Sequence, residues 1–220
     1  MSKAFCLVLL ALVPIPAVAQ NSSSGPVMPG LLKSSHWRNS PAAWNVKDGV
    51  LTIKSPGKTD WYVEPTGEHR VASSPLLLIP APKDFWFSAK VSVDFHSRFD
   101  AGALAVYADE TNWVKFAFES QNGKTGAIVS VVTRGLSDDN TGAAIEGDSV
   151  YLKVSKTGQA IFLYFSIDGK RWNLTRAFNL GPEQSLQFGF SAQSPTGVGS
   201  TVTFSEIQYK PGALKPWTGE

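Results

Sequence analysis

Residues 112–134 read NWVKFAFESQNGKTGAIVSVVTR. Two runs rich in β-branched and aromatic residues flank Asn122-Gly123, a pair that tolerates the positive φ of a tight turn, so the stretch predicts a β-hairpin with a wide tip. Within the first run Val114, Phe116 and Phe118 alternate with Trp113, Lys115, Ala117 and Glu119. Side chains on a strand point to opposite faces in turn. One face is therefore apolar core, and the other carries an aromatic ring, a cation and a carboxylate in a row.

The same reading extends in both directions. Lys47-Asp48-Gly49 and Asp168-Gly169 also place Gly beside Asp between β-rich runs, and they predict hairpins over 44–54 and 161–176. Further strands are expected at 61–64, 76–79, 85–95, 103–108, 149–155, 186–192 and 201–209. No segment carries the i, i+3, i+4, i+7 apolar pattern of an amphipathic helix between a cap and a terminating Gly. Without crossover helices a parallel α/β sheet is excluded, and without a repeat of roughly 40–50 residues so is a propeller. The expected fold class is all-β, a jelly-roll sandwich of two antiparallel sheets.

The ends of the chain are different in kind. Lys3, the apolar run 4–13 and the small residues Ala17-Val18-Ala19 come in the order of a secretory signal. Cleavage after Ala19 would leave a secreted or periplasmic protein. The apolar run is shorter than the roughly 20 residues of a membrane-spanning helix, so no membrane insertion is expected. The only cysteine, Cys6, lies in the signal, and the mature domain rests on its core alone. The expected plan is a signal peptide at 1–19, a Ser/Gly/Pro-rich flexible leader at 20–30, one domain at 31–210 and a tail at 211–220. With 20 basic and 18 acidic residues and no basic run, nucleic acid is not an expected partner.

The polar faces of the expected strands supply the candidate site. Ser92, Asp94 and His96 alternate with Val91, Val93 and Phe95, and Tyr62 and Glu64 alternate with Trp61 and Val63. The run 127–134 is less decided, with Arg134 on the face of Ile128, Ser130 and Val132. If these strands share one sheet, Tyr62, Glu64, Asp94, His96, Trp113, Lys115, Glu119 and Arg134 form one surface. Such a surface is also what the solvated outer side of any antiparallel sheet looks like. Its functional reading is a glycan-binding groove, in which Trp113 and Tyr62 stack on sugar rings and the charged groups orient hydroxyls. Two further readings share the face. Glu64 and Glu119 could serve as the carboxyl pair of a glycoside hydrolase, or the face could be a contact surface for a protein partner. No zinc motif, nucleophile elbow or phosphate loop is present. No cofactor is called for, although the acidic pairs Asp109-Glu110 and Asp138-Asp139 could offer oxygens to calcium.

Several segments match a known family in order: DWYVEPTG at 60–67, FSAKVSVDF at 87–95, DAGALAVYADETNWVKFAFES at 100–120, IVSVVTRGLSDD at 128–139 and FSIDGKRWNLTRAF at 165–178. From Leu31 to Tyr209 the chain resembles the domain of unknown function similar to the yeast "regulation of enolase" protein, within the concanavalin A-like lectin/glucanase superfamily. The resemblance implies a concanavalin A-like jelly roll. It carries over no enzymatic activity, and its matching positions here are Trp61, Glu64, Gly102, Trp113, Lys115, Glu119, Ser130 and Asp168. Sugar binding follows from it only by analogy with related accessory modules.

Overall fold

The computed structural model describes residues 27–181 and 185–219. The export signal read over 1–19 and the first part of the leader lie outside the described residues. A short helix, α1 (Val27–Leu32), leads into β1 (His36–Arg38), β2 (Ala43–Lys47), β3 (Val50–Pro56), β4 (Trp61–Val63), β5 (Arg70–Ala72) and β6 (Leu76–Pro80). Then come β7 (Phe85–Val93), β8 (Ala101–Tyr107), β9 (Asn112–Ser120), β10 (Gly126–Arg134) and β11 (Leu136–Ile145). The chain closes with β12 (Ser149–Thr157), β13 (Ala160–Ser166), β14 (Asn173–Phe178), β15 (Gln187–Gln193) and β16 (Gly199–Pro211).

Two seven-stranded antiparallel sheets face each other, a concanavalin A-like jelly roll. The first runs β1-β6-β15-β8-β9-β10-β11 and the second β14-β13-β12-β7-β16-β3-β2. The hairpins read from the turn pairs are present. Asp48 and Gly49 both take positive φ, 51° and 80°, between the paired residues Lys47 and Val50. Asn122 instead closes the wider tip with its side chain, accepting the N–H groups of Lys124 and Thr125 at 2.9 Å.

Between the sheets the inward residues pack as the period-two reading requires. Val114, Phe116 and Phe118 meet Phe87, Phe188, Phe190 and Phe204, all buried. Fully burying one such side chain stabilises the fold by about 1.5–3 kcal/mol. The sheets approach closely at Gly102, where a Cβ would lie 2.4 Å from Val202 and 2.7 Å from Val91.

Besides the short strands β1 and β5, which the sequence reading does not include, three elements differ from it. The leader was expected to run loose to residue 30, but Met28 and Leu31, three residues apart, share one face of α1 and join the core. β11 carries the polar run LSDDNTGAAI with no apolar alternation, because it is an edge strand and owes its place to pairing with β10. β4 is a strand but belongs to neither sheet. It pairs only with β5, forming a hairpin laid across the outer face of the first sheet.

Candidate functional site

The outer face of the first sheet is half apolar and half polar. Ala103, Ala105 and Ala117 keep its centre low, and Trp61 and Val63 from the β4–β5 hairpin settle onto it. Trp61 stacks on Trp113 with ring centroids 4.1 Å apart, and Tyr107 lies against the same pair. The hairpin is pinned at its base, where Ser73 and Ser74 donate N–H bonds to the Asp60 carbonyl. It is pinned again where Val63 N–H donates to Ser137 Oγ at 3.0 Å.

Beside this aromatic patch lies a polar cluster. Lys115, only 3% exposed, donates to Gln193 Oε1 at 3.0 Å and meets Asp60 Oδ1 at 3.3 Å. Glu119, 7% exposed, sits two rows along on the same strand face, beyond Ala117. Gln193 Nε2 and Gln121 Nε2 approach its two oxygens at 3.5 Å. Register completes the arrangement, since Asp139 stands opposite Val131 and Val131 opposite Lys115. Gln193 stands opposite Ala101, which faces Glu119.

The charges in this cluster act on one another. Burial pulls the Lys115 ammonium toward neutrality, but Asp60, Glu119 and Asp139 outweigh it and hold the pKa above the ordinary lysine value. Burial pushes the Glu119 carboxyl up, Lys115 pulls it back, and Asp139 and Asp60 push again, leaving it at about 7. Burial likewise raises Asp139. The Tyr62 phenol is raised by burial and then by Asp139 and Glu64, so it lies within electrostatic reach of the cluster.

Of the eight residues expected to share a surface, Tyr62, Lys115 and Glu119 come together with Trp113 at their side. Trp113 is 1% exposed, sealed by Trp61, and presents no free ring face. Glu64 stands on the outer side of the hairpin and accepts a bond from Thr66 Oγ1. It presses on Tyr62, while the carboxylates that press on Glu119 are Asp139 and Asp60. Asp94 and His96 are on the other sheet's side, paired at 2.9 Å, because β7 belongs to the second sheet. Arg134 lies on the wrong side of β10, as the Thr133 face is the one opposite Trp113. Its guanidinium reaches Asn179 O at 3.2 Å and helps to close the sandwich edge.

Asp60 and Gln193 are absent from the sequence reading of the site, and Asp139 enters it only as half of an acidic pair for calcium. Gln193 had a signal, the alternation of Phe188, Phe190 and Ala192 with Gln187, Ser191 and Gln193. Asp139 had none, because β11 shows no alternation, and Asp60 is delivered by the chain crossing from β3.

Among the described residues no group of three metal-ligating side chains gathers. The acidic pairs weighed for calcium are engaged by protein. Asp109 Oδ1 accepts bonds from Thr111 and Asn112, Glu110 pairs with Arg38, and Asp138 pairs with Arg176 at 2.5 Å. Chemically the cluster offers a fixed cation, a carboxyl that titrates near neutrality and several oriented hydrogen-bonding groups beside an aromatic ring.

The solved structures similar to this chain share its fold. A functionally unknown protein from Saccharomyces cerevisiae superposes with a TM-score of 0.76 at 26% identity, covering 83% of this chain and 99% of that one. A xylan beta-1,4-xylosidase from Bacillus halodurans gives 0.60 at 18% identity, over 74% of this chain and 33% of that one. An alginate lyase from Klebsiella pneumoniae gives 0.51 at 15% identity, over 80% and 86%. In sequence, "Regulation of enolase protein 1" of Saccharomyces cerevisiae is 27% identical over 178 residues, 80% of this chain and 88% of that protein. The family described as "Protein of unknown function (DUF1349)" matches residues 37–212, and the chain belongs to it.

Proposed function

We propose that the chain is an exported carbohydrate-binding protein whose ligand lies over the polar half of the first sheet's outer face. One observation carries this reading: Lys115, Gln193 and Glu119 are buried and held by fixed partners, next to the hairpin whose half-buried Tyr62 feels the charges of Lys115, Asp60 and Asp139. Replacing a buried ionic group by apolar packing is often neutral or stabilising. The apolar half of the same face already packs the hairpin that way. Groups oriented by one another, next to an aromatic ring, are what a polyhydroxylated ligand requires. Structures of this fold bearing the names xylosidase and alginate lyase support the ligand class by analogy.

The test is an array of polysaccharides and oligosaccharides probed with the chain from Gln20, in calcium and again in chelator. A reproducible ligand is expected. Tyr62→Ala should weaken it about tenfold, the loss of roughly 1.4 kcal/mol of contact, while thermal unfolding stays unchanged. Undiminished affinity in Tyr62→Ala rejects the site. Silence across the array transfers the face to a protein partner.

The Glu119 carboxyl favours a second reading. Poised at about 7, it has the pKa of a general acid, and the carboxylate acting on it is Asp139, not the Glu64 of the sequence reading. Slow polysaccharide hydrolysis lost in Glu119→Gln, with binding retained, would establish it.

A further inference from the structure

Ser92-Val93-Asp94 at the end of β7 and Thr201-Val202-Thr203 in β16 each bury their middle valine between the sheets. Alternation turns the flanking residues onto the outer face of the second sheet. Register aligns them there, with Thr52, Thr203, Ser92 and Ser149 in one row across β3, β16, β7 and β12. In the next row Lys54 stands opposite Thr201, whose carbonyl accepts the Asp94 N–H at 3.0 Å. Short hydroxyl side chains therefore make a low floor, with longer charged ones at its end.

Two loops raise walls beside this floor, and main-chain contacts fix both. The β9–β10 tip carries Lys124, whose N–H is held by Asn122 Oδ1 at 2.9 Å. Gly123 beside it takes a φ of +85° and lies so close to the turn after β7 that a Cβ would sit 3.2 Å from His96 O. The β11–β12 turn carries Asp148, whose carbonyl accepts the Val93 N–H at 3.1 Å. Floor and walls enclose about 630 Å³, with Lys54, Ser92, Asp94, Lys124, Asp148 and Thr201 in the lining, a size that suits a small ligand. A second hollow continues the cleft past Lys54 and Asp94 to His96 and Val198.

The charges in the cleft are held apart. Asp94 is taken up by His96 at 2.9 Å. Lys54, Lys124 and Asp148 make no side-chain hydrogen bond or ion pair among the described residues, although they line one hollow with opposite signs. The hydroxyls of Ser92, Thr201 and Thr203 are likewise uncommitted to protein. Phe95, which also lines the hollow, packs its ring against Phe118 with centroids 5.0 Å apart. Charge and hydroxyls, rather than stacking, are what the cleft offers a ligand.

We propose that this cleft is a second binding site, for an anionic saccharide. Lys54 and Lys124 hold its carboxylate or sulfate group by charge-assisted bonds, the stronger class of hydrogen bond. The hydroxyls of the floor, each both donor and acceptor, and Asp148, an acceptor only, take the hydroxyls of the sugar. The site lies on the opposite sheet from Lys115 and Glu119 and is independent of the function proposed there.

The test is calorimetric titration of the chain with oligogalacturonate, with a sulfated galactan oligosaccharide and with neutral galactan oligosaccharide. Binding of at least one anionic ligand and not of the neutral one is expected, and the ligand that binds names the anion. Lys54→Gln and Lys124→Gln should each weaken binding about tenfold, the loss of one charged contact. Thr203→Val should weaken it several-fold with no change of charge. Lys170→Gln removes the same charge from the exposed turn after β13, outside the cleft, and Tyr62→Ala acts on the first sheet alone. Both should bind as the native chain does. Thermal unfolding verifies the fold of each variant. The proposal is overturned by binding of neither anionic ligand, by equal binding of neutral galactan, or by undiminished affinity in Lys54→Gln and Lys124→Gln. A loss in Lys170→Gln as large as in those two overturns it as an effect of net charge, and a loss in Tyr62→Ala moves the anionic ligand to the first sheet.

Discussion

Trp113 shows how a residue can be read in its face and misread in its role. Alternation puts it opposite Phe116, as found, but only the arrival of Trp61 decides that its ring is sealed. Trp113→Ala should therefore act on stability, lowering it by about 3–5 kcal/mol as large-to-small core changes do. Denaturant titration checks this, and a variant as stable as the native chain would contradict the stack. Glu119 carries a pH signature. Its carboxyl titrates at about 7 when folded, against an ordinary 4.5, so between those values the folded chain holds a proton that the unfolded chain has lost. The associated stability is complete below pH 4.5 and lost as pH rises through about 7. At about 1.36 kcal/mol per pH unit it amounts to roughly 3 kcal/mol. In Glu119→Gln that dependence disappears. The stability of the variant relative to the native chain should climb from pH 4.5 to 7 and level off above, as followed by unfolding at a series of pH values.

At the scale of elements the β4–β5 hairpin matters most. It brings Asp60 to a lysine that β9 alone would leave buried without its nearest carboxylate. Removing one partner of a buried pair costs about 3–5 kcal/mol. Asp60→Asn is expected near 3 kcal/mol, because Gln193, Glu119 and Asp139 remain around Lys115. The same variant should speed amide exchange in 61–72 before that in β9 and β10, a local effect that hydrogen exchange resolves. Between the sheets the sensitive point is Gly102. Its added methyl in Gly102→Ala would meet the side chains of Val202 and Val91, and overpacking of this kind costs about 1–3 kcal/mol. A variant unfolding at the native denaturant midpoint would show that the sheets yield there.

For the whole molecule, export is a proposal with a direct check: the amino terminus of the protein recovered outside the cytoplasm should begin at Gln20. The all-β fold, its hairpins and the inward residues of β7 and β9 were legible in the sequence. Turn chemistry and two-residue alternation are local, and both act over distances that one strand spans. Lys115 and Glu119 were legible as neighbours for the same reason, two turns of the pleat apart on one strand. What local pattern cannot carry is which strands lie side by side, since in a jelly roll pairing joins residues far apart in the chain. Hence Asp94 and His96 were grouped with a face on the other sheet, Arg134 was turned the wrong way, and Asp139 on its patternless edge strand was weighed only for calcium and not with Lys115. Sequence alone determined the fold class and the chemistry available on each strand. Tertiary structure decided which chemistry shares a surface, because only strand order and the hairpin laid across the first sheet bring Asp60, Tyr62, Asp139 and Gln193 to Lys115 and Glu119.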